Sequence, residues 1–501
     1  MWTKLKLSKP DLKFGICWSV LLIGGFINLA MGNSHESLWF DESYSAVLIN
    51  HSVPDIINIL AKDSHPPLYF IVLKLFCSVF GNSEFVLRLF SALGAVALAA
   101  LGAGPVKRVF SKTTGLIFTF IVLAVPISLS MGQETRMYTW AAFLVTGCVL
   151  YAHLAVTQGN KSDWFRFGLL TVLSAYTHYY ALLAVAILNV IIFAFLVIKK
   201  RSELKKFFLT AGILVLCYLP WVIVLIDQAS RVKKNFWIPS VNVMTIISAI
   251  VYPFQNKFAS MPHLYMTYLA VIASGIMFIL VIFGIVRAGV KRFADGKAAL
   301  LAFLVYILTL LGGITASYIV RPVFVERYCM PVIGLLLLSM AYGISLLKKK
   351  PLIIAICVII LGLSIPQIIF IKTERLNGPM KEVVEYMKDN MKPDDIFVHT
   401  DEHTFGTFCY YFPEQKSYLY YEPGFMGFSG YDAFGPSGSN GYDVDSFIKG
   451  KKRIWLVENM DSRFSGIMNV SVSLKSMSDI ERFSLPYSWY ALSLNRVEPE
   501  N

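Results

Sequence analysis

The chain has 501 residues, 56% of them hydrophobic and 15% charged, with a mean hydropathy of +0.60. A soluble chain of this size carries about 25% charge, so this is a polytopic membrane protein with room for one further small domain. The net charge of +13 does not point to nucleic acid, because Lys and Arg cluster between apolar runs, as the positive-inside rule expects of cytoplasmic loops.

Counting each run of about 17–25 apolar residues as one crossing predicts about eleven helices. The first, 14–31, follows a basic start (Lys4, Lys6, Lys9, Lys13) and has no A-x-A-like cleavage site, so it reads as a retained helix leading outward. Residues 33–82 follow on the outer face. They hold the acidic pair Asp41-Glu42, an amphipathic segment 53–62, and His65-Pro66-Pro67-Leu68-Tyr69. Asp41 reads locally as the cap of a surface helix starting at Glu42. The apolar run 66–80 is short and carries Lys74. Counting it as a crossing inverts the charge bias of later loops, so it is predicted to lie in the interface.

Crossings at about 84–104 and 113–131 then lead out to Gln133-Glu134-Thr135-Arg136-Met137-Tyr138. The fourth returns to Lys161 and Arg166, and the fifth ends outside at Thr177-His178-Tyr179-Tyr180. The sixth returns to Lys199-Lys200-Arg201, the strongest inner signal, and the seventh exits near Asp227. A long outer loop, 228–262, holds Arg231, Lys233, Lys234, Phe236, Trp237 and an apolar stretch at 241–251. The eighth returns to Arg287, Lys291 and Arg292, and the ninth exits at Arg321 to Tyr328. The tenth ends at Lys348-Lys349-Lys350, and the eleventh, about 351–371, leaves the tail outside.

The expected domains are therefore a membrane part, 1–371, and an extracytoplasmic α/β domain, 372–501. In the tail, 381–390 reads as a helix and 395–399 and 453–457 as strands. Pro, Gly, Ser and aromatic residues mark 422–443 as loop. No repeat of about 20–50 residues and no glycine-rich phosphate loop is present. The seven cysteines form no CxxC pair, which leaves neither a zinc site nor a disulfide framework indicated.

On this topology Asp41, Glu42, His65, Gln133, Glu134, Arg136, Tyr138, His178, Tyr179, Arg321, Glu326, Arg327 and Tyr328 all fall on the outer side. Polar residues at helix ends are ordinary interface anchors as well. Carboxylates, histidines and arginines on one face nonetheless supply a base and phosphate binders together.

Trp39-Phe40-Asp41-Glu42, His65-Pro66-Pro67-Leu68-Tyr69, Ser83-Glu84-Phe85-Val86-Leu87-Arg88-Leu89 and Gln133-Glu134-Thr135-Arg136-Met137-Tyr138 occur in that order. Together with Glu326-Arg327-Tyr328-Cys329-Met330-Pro331, they resemble the bacterial branch of glycosyltransferase family 39. That family is related to the protein O-mannosyltransferases and the lipid A aminoarabinose transferases. The resemblance is dense over 35–140, returns at 326–331 and does not reach the tail.

It implies a GT-C membrane fold, a sugar donor on a polyprenyl phosphate, and transfer on the outer face of the bacterial plasma membrane. The N-terminus is then cytoplasmic. It matches Asp41 to the family's catalytic acidic position, with Glu42 following. The acceptor stays open among protein, lipid and glycan. No cofactor is assigned. A divalent metal is possible and would need His65, Glu134 or His178, since no second Asp-x-Asp is present.

The chemistry is consistent with the residues. A carboxylate such as Asp41 can deprotonate an acceptor hydroxyl, and Arg327, Arg321 or Arg136 can grip the departing lipid phosphate bidentately. Substrate contacts are expected from His65, Glu134, Tyr138, His178, Tyr179 and Tyr328. The rival reading is a transporter or flippase for a lipid-linked glycan. Transporters place charges near the midplane and often show inverted repeats, and neither pattern is seen here.

Overall fold

A computed structural model of the chain describes residues 9–234, 238–259, 263–291, 295–421, 430–435, 437–459, 474–477, 479–488 and 490–499. The chain divides into two compact units, Met1–Met31 with Arg88–Ile371, and Gly32–Leu87 with Lys372–Asn501. The outer segment 32–87, which the sequence assigns to the membrane part, thus packs in one unit with the tail. Its local apolar pattern carries no information about that distant partner.

In the first unit, nine helices among the described residues are long and apolar enough to cross a membrane. The pair Lys112–Ala124 and Pro126–Gly132, bent by 63°, brings the number to ten when it is counted as one span. The bend falls at Pro126, which has no N–H to continue the first helix and sits at the start of the second. The remaining expected crossing, Lys161–Ala175, has only 15 residues. That is about 22 Å of helix, shorter than a typical hydrocarbon core.

Contacts at its first end tie it into the bundle. Asp163 near its start takes a fork of hydrogen bonds from Arg108, at 3.1 and 3.0 Å. Lys200, from the next turn on that end, reaches the Val156 carbonyl. The turns expected on the inner side therefore meet one another. At the other end the chain emerges at Thr177 and His178.

Helix Met330–Ser345 is buried on every face along residues 330–344, so it carries no polar stripe. Its approach to helix Leu264–Lys291 depends on Gly343, where a Cβ would lie 2.0 Å from the Leu280 carbonyl oxygen. Small residues of this kind let membrane helices meet backbone to backbone. Helix Leu204–Lys234 continues two turns past the exit expected at Asp227, and an Arg231–Asp227 pair at 2.9 Å lies on that extension. The apolar stretch of the following loop forms helix Val243–Val251, with Asn242 and Thr245 as a capping box. Phe236 and Trp237 lie outside the described residues, as do the Lys233 and Lys234 side chains.

The second unit is α/β. Its strands are β1 (Ile396–His399), β2 (Lys416–Tyr420), β3 (Gly438–Gly441), β4 (Ile454–Asn459), β5 (Leu474–Ser476), β6 (Glu481–Phe483) and β7 (Leu492–Pro499). They run in the order β3-β2-β1-β4-β7-β5, with β6 also on β7. The first four are parallel, and β7 is antiparallel to its neighbours. The expected tail helix is Met380–Asn390. Helix Glu402–Tyr411 and five of the strands were not anticipated, because the strands are short and carry little alternation. Residues 422–429 and 436 of the expected loop lie outside the described residues.

From the outer segment, this unit takes helices Phe40–Leu48, Val53–Lys62 and Leu68–Phe80. Ser52 caps the second, accepting from the Asp55 N–H, and Ile56, Ile59 and Leu60 form its buried face. The third buries Tyr69, Phe70, Leu73 and Cys77, while Val72, Leu75, Val79 and Phe80 are exposed. Lys74 turns back to the Ile49 carbonyl at 2.9 Å. One buried and one exposed apolar face on a helix of about 20 Å fit a rod lying along a lipid surface. Accordingly, in a cysteine-free background, Ser64→Cys, Asn82→Cys and Asn440→Cys should all label with an impermeant thiol reagent on intact cells. A protected position 82 would make the helix a crossing, and labelling at 440 only after lysis would invert the topology.

Candidate functional site

In the first unit, Gln133 to Met137 form a break between helices Pro126–Gly132 and Tyr138–Gln158. Gln133 is structural: its Nε2 donates to the Leu29 and Met31 carbonyls at 2.9 and 3.0 Å. Glu134 and Arg136 are buried, and the Arg136 N–H closes a tight turn on the Glu134 carbonyl. Ser91 Oγ donates to the Arg136 carbonyl at 3.2 Å, and Thr139 Oγ1 donates back to the Ser91 carbonyl at 2.7 Å. The break is therefore stapled to helix Glu84–Ala100, and Arg136 is held at a defined place.

His178 caps helix Tyr179–Lys199, its Nδ1 accepting the Tyr180 N–H at 3.0 Å. The remaining ring proton is then on Nε2. Burial first, and then the charges of Arg136 and Arg327, push this imidazole down to about 3. At neutral pH it is an uncharged N–H donor beside two guanidinium groups. The His178 ring packs against Tyr138 at 5.6 Å and Tyr328 at 5.4 Å. Tyr138 in turn lies within electrostatic reach of Arg327, Arg136, Tyr328 and Glu134.

Six of the expected residues thus form one cluster: Glu134, Arg136, Tyr138, His178, Arg327 and Tyr328. Arg321 opens the extended segment before them, but the guanidinium charges acting on His178 are those of Arg136 and Arg327. Tyr179 serves the helix frame instead, bonding Gln228 and accepting from Trp221 Nε1.

In the second unit, Asp41 does not cap its helix. Trp39 is the cap position of Phe40–Leu48, with no side-chain cap bond, and Asp41 lies inside the first turn. With Phe40 buried, the helix starts two residues earlier than a capping Asp41 would allow. A carboxylate in that turn still gains from the helix dipole, by about 0.3–1 kcal/mol. Glu42 is fully buried and accepts from Asn377 Nδ2 at 3.0 Å. Asn377 is itself fixed by the Ser37 carbonyl at 2.7 Å and, through its N–H, by Glu36. Tyr44, one turn beyond Asp41, donates to the buried Asp63 at 2.8 Å. His65 is half-buried, with its ring 6.2 Å from Phe70.

Among the described residues, no three His, Cys, Asp or Glu side chains group as metal ligands.

Residues 64–225 match the family of dolichyl-phosphate-mannose-protein mannosyltransferases. The fold is similar to that of ArnT from Cupriavidus metallidurans in the apo state, with TM-score 0.64 at 12% identity over 97% of this chain and 98% of that one. This chain has a membrane fold of the GT-C type.

The same ArnT bound to undecaprenyl phosphate gives TM-score 0.63 at 11% identity over 96% and 97% of the two chains. The oligosaccharyltransferase AglB from Archaeoglobus fulgidus, in complex with an inhibitory peptide and a dolichol-phosphate, gives 0.55 at 12% identity, over 90% of this chain and 70% of that one. At these identities the likeness is one of fold. No curated protein matches this sequence. The recognition as family-39-like, made on residues 35–140 and 326–331, agrees with both findings.

Several residues of this GT-C chain escaped the sequence reading. Tyr252 is buried and within electrostatic reach of Tyr138, Glu134 and Arg327. Lys257, nearly buried, donates its backbone N–H to Ser130 Oγ at 2.9 Å. The available signal was that Lys257 is the only Asp, Glu, Lys or Arg between Lys234 and His263. Tyr180 donates to the Val323 carbonyl at 2.8 Å and so fixes the approach to Arg327.

In the tail, His399 is fully buried among Phe397, Phe405 and Phe408. Thr404 Oγ1 donates to the Asp401 carbonyl, so it accepts from His399 Nδ1 at 3.1 Å and fixes the neutral tautomer. Burial pushes His399 down to about 3, well below the unfolded value of about 6.5. The unfolded state then binds the extra proton first, so stability falls as pH drops below about 6.5. Thermal unfolding in detergent should show that loss between pH 7.5 and 5, and His399→Leu should reduce the slope. An unchanged slope would assign the acid sensitivity to other groups.

Proposed function

We propose that the protein transfers a sugar from a polyprenyl-phosphate donor to an acceptor on the extracytoplasmic face of the plasma membrane. The observation that carries this reading is the cluster in the membrane unit: Arg136 and Arg327 beside a neutral His178, within the GT-C fold. Two guanidinium groups suit the oxygens of a lipid phosphate, whose charge grows as it departs. The neutral His178 adds an N–H donor without a further charge. A relative solved with undecaprenyl phosphate supports a lipid phosphate as the ligand.

Asp41 is assigned as base. It takes the proton of the acceptor hydroxyl while that oxygen forms a bond to the anomeric carbon. The bond from that carbon to the phosphate oxygen breaks, inverting the centre and releasing the lipid phosphate. Glu42 orients the helix through Asn377. Tyr138, Tyr328, Glu134 and His65 are assigned to substrate contacts, with Tyr179 and Arg321 further out.

The test is turnover of a synthetic polyprenyl-phosphate sugar by purified protein in detergent, together with a binding isotherm for undecaprenyl phosphate. Binding of the lipid phosphate and release of sugar to an acceptor or to water are expected. Absence of both, in a folded preparation, would return the protein to the transporter reading.

A further inference from the structure

The tail is not covered by the sequence resemblance, yet one of its helices packs on the helix that carries Asp41. Phe40, immediately before Asp41, is buried between two groups of the tail. The His403 ring stands edge-on to it at 5.3 Å, and the Phe434 ring lies 5.9 Å away. Gly406 completes the seat: a Cβ there would come within 2.6 Å of Phe40 Cδ2 and 2.9 Å of Cε2. His403 and Gly406 are three apart on helix Glu402–Tyr411 and so share one face.

His403 is itself held in place. Asp401 caps the helix, accepting from the His403 N–H at 2.9 Å, and its carboxylate meets His403 Nδ1 at 3.2 Å. Glu402 accepts from the Tyr431 hydroxyl at 2.9 Å. Asp41 acts electrostatically on both Glu402 and His403. Burial pulls His403 down, but the Asp401 hydrogen bond and the charges of Asp401, Glu402 and Asp41 outweigh it and hold the imidazole above its usual value.

We propose that helix Glu402–Tyr411 sets the position of the reacting carboxylate: His403 and Gly406 seat the Phe40 ring, and Phe40 holds the first turn from which Asp41 projects. The inference rests on the reading of Asp41 as base. His403 and Gly406 are positioning residues, acting through Phe40 on the placement of a group whose displacement by about 1 Å can cost 10²-fold in rate.

The experiment uses the full chain in detergent with a synthetic polyprenyl-phosphate sugar. It compares wild type, Asp41→Asn, Gly406→Ala, His403→Phe and the double variant Gly406→Ala with Phe40→Leu. Gly406→Ala should lower kcat by about 10–100-fold with the donor KM changed less than about twofold. The double variant should recover most of that loss, because the smaller side chain removes the clash. His403→Phe keeps an edge-on ring but loses its hold on Asp401. It should lower kcat with the donor KM changed less than about twofold, and it carries the test by itself if Gly406→Ala does not fold.

Loss of activity only in step with loss of donor binding and stability, without rescue by Phe40→Leu, would make the contact mere packing and overturn the proposal. Wild-type kcat in Gly406→Ala and His403→Phe, with Asp41→Asn inactive, would overturn it while leaving the base assignment standing. Full activity of Asp41→Asn would remove the base assignment and this inference with it.

Discussion

Asp41→Asn should fold normally and turn over about 10²–10⁴-fold more slowly than wild type, the usual loss for a general base. Asn keeps the shape and most hydrogen bonds of Asp but cannot take the proton. Asp41 is not the helix cap, since Trp39 occupies that position without a side-chain bond. The substitution therefore removes a charge in the first helical turn, worth about 0.3–1 kcal/mol, together with its attraction to His403. Unfolding temperature should move by a few degrees at most, while activity nearly vanishes. Glu42→Gln is the companion, because Glu42 is fully buried against Asn377. It should cost stability as well as rate. Glu134→Gln is the rival: near-wild-type turnover by Asp41→Asn, with Glu134→Gln inactive, would move the base into the membrane unit.

Arg327→Ala should lower donor turnover by about 10²–10³-fold, the usual cost of removing one donor to a developing oxyanion. Arg327→Lys should recover only part of it, because an ammonium keeps the charge but not the planar fork. Arg327 is the cleaner probe because it is half-buried, whereas Arg136 is buried with its backbone tied to Ser91. Changing Arg136 should affect both the fold and the phosphate. An interface anchor at 327 would tolerate Lys and, largely, Ala. Wild-type turnover and undecaprenyl-phosphate binding in both Arg327 variants would take this residue out of the site.

Several residues of the family-like motifs in the membrane unit lie close together, because those motifs sit at helix ends, where local sequence dictates the break. Pro126 bends the third crossing, and the Gln133 to Met137 stretch follows it. The resemblance could not separate Tyr179, which faces Gln228 and Trp221, from His178 one residue earlier. Adjacent residues at a helix start point in different directions, and only packing shows which way each one turns. Lys257 and Tyr252 were missed because a long apolar loop offers no periodicity that says which part folds back.

What the sequence determined by itself was the membrane frame. Long apolar runs must cross a bilayer as helices, since no other structure satisfies their backbone there, and basic loops between them set a consistent alternation of sides. The family-like motifs added the fold. Only the tertiary structure decided that residues 32–87 belong with the tail, that Glu42 is fixed by Asn377, and that His403 and Gly406 press on Phe40. These contacts join residues more than 330 positions apart. Side-chain shape and burial choose them, and neither leaves a local period in the chain.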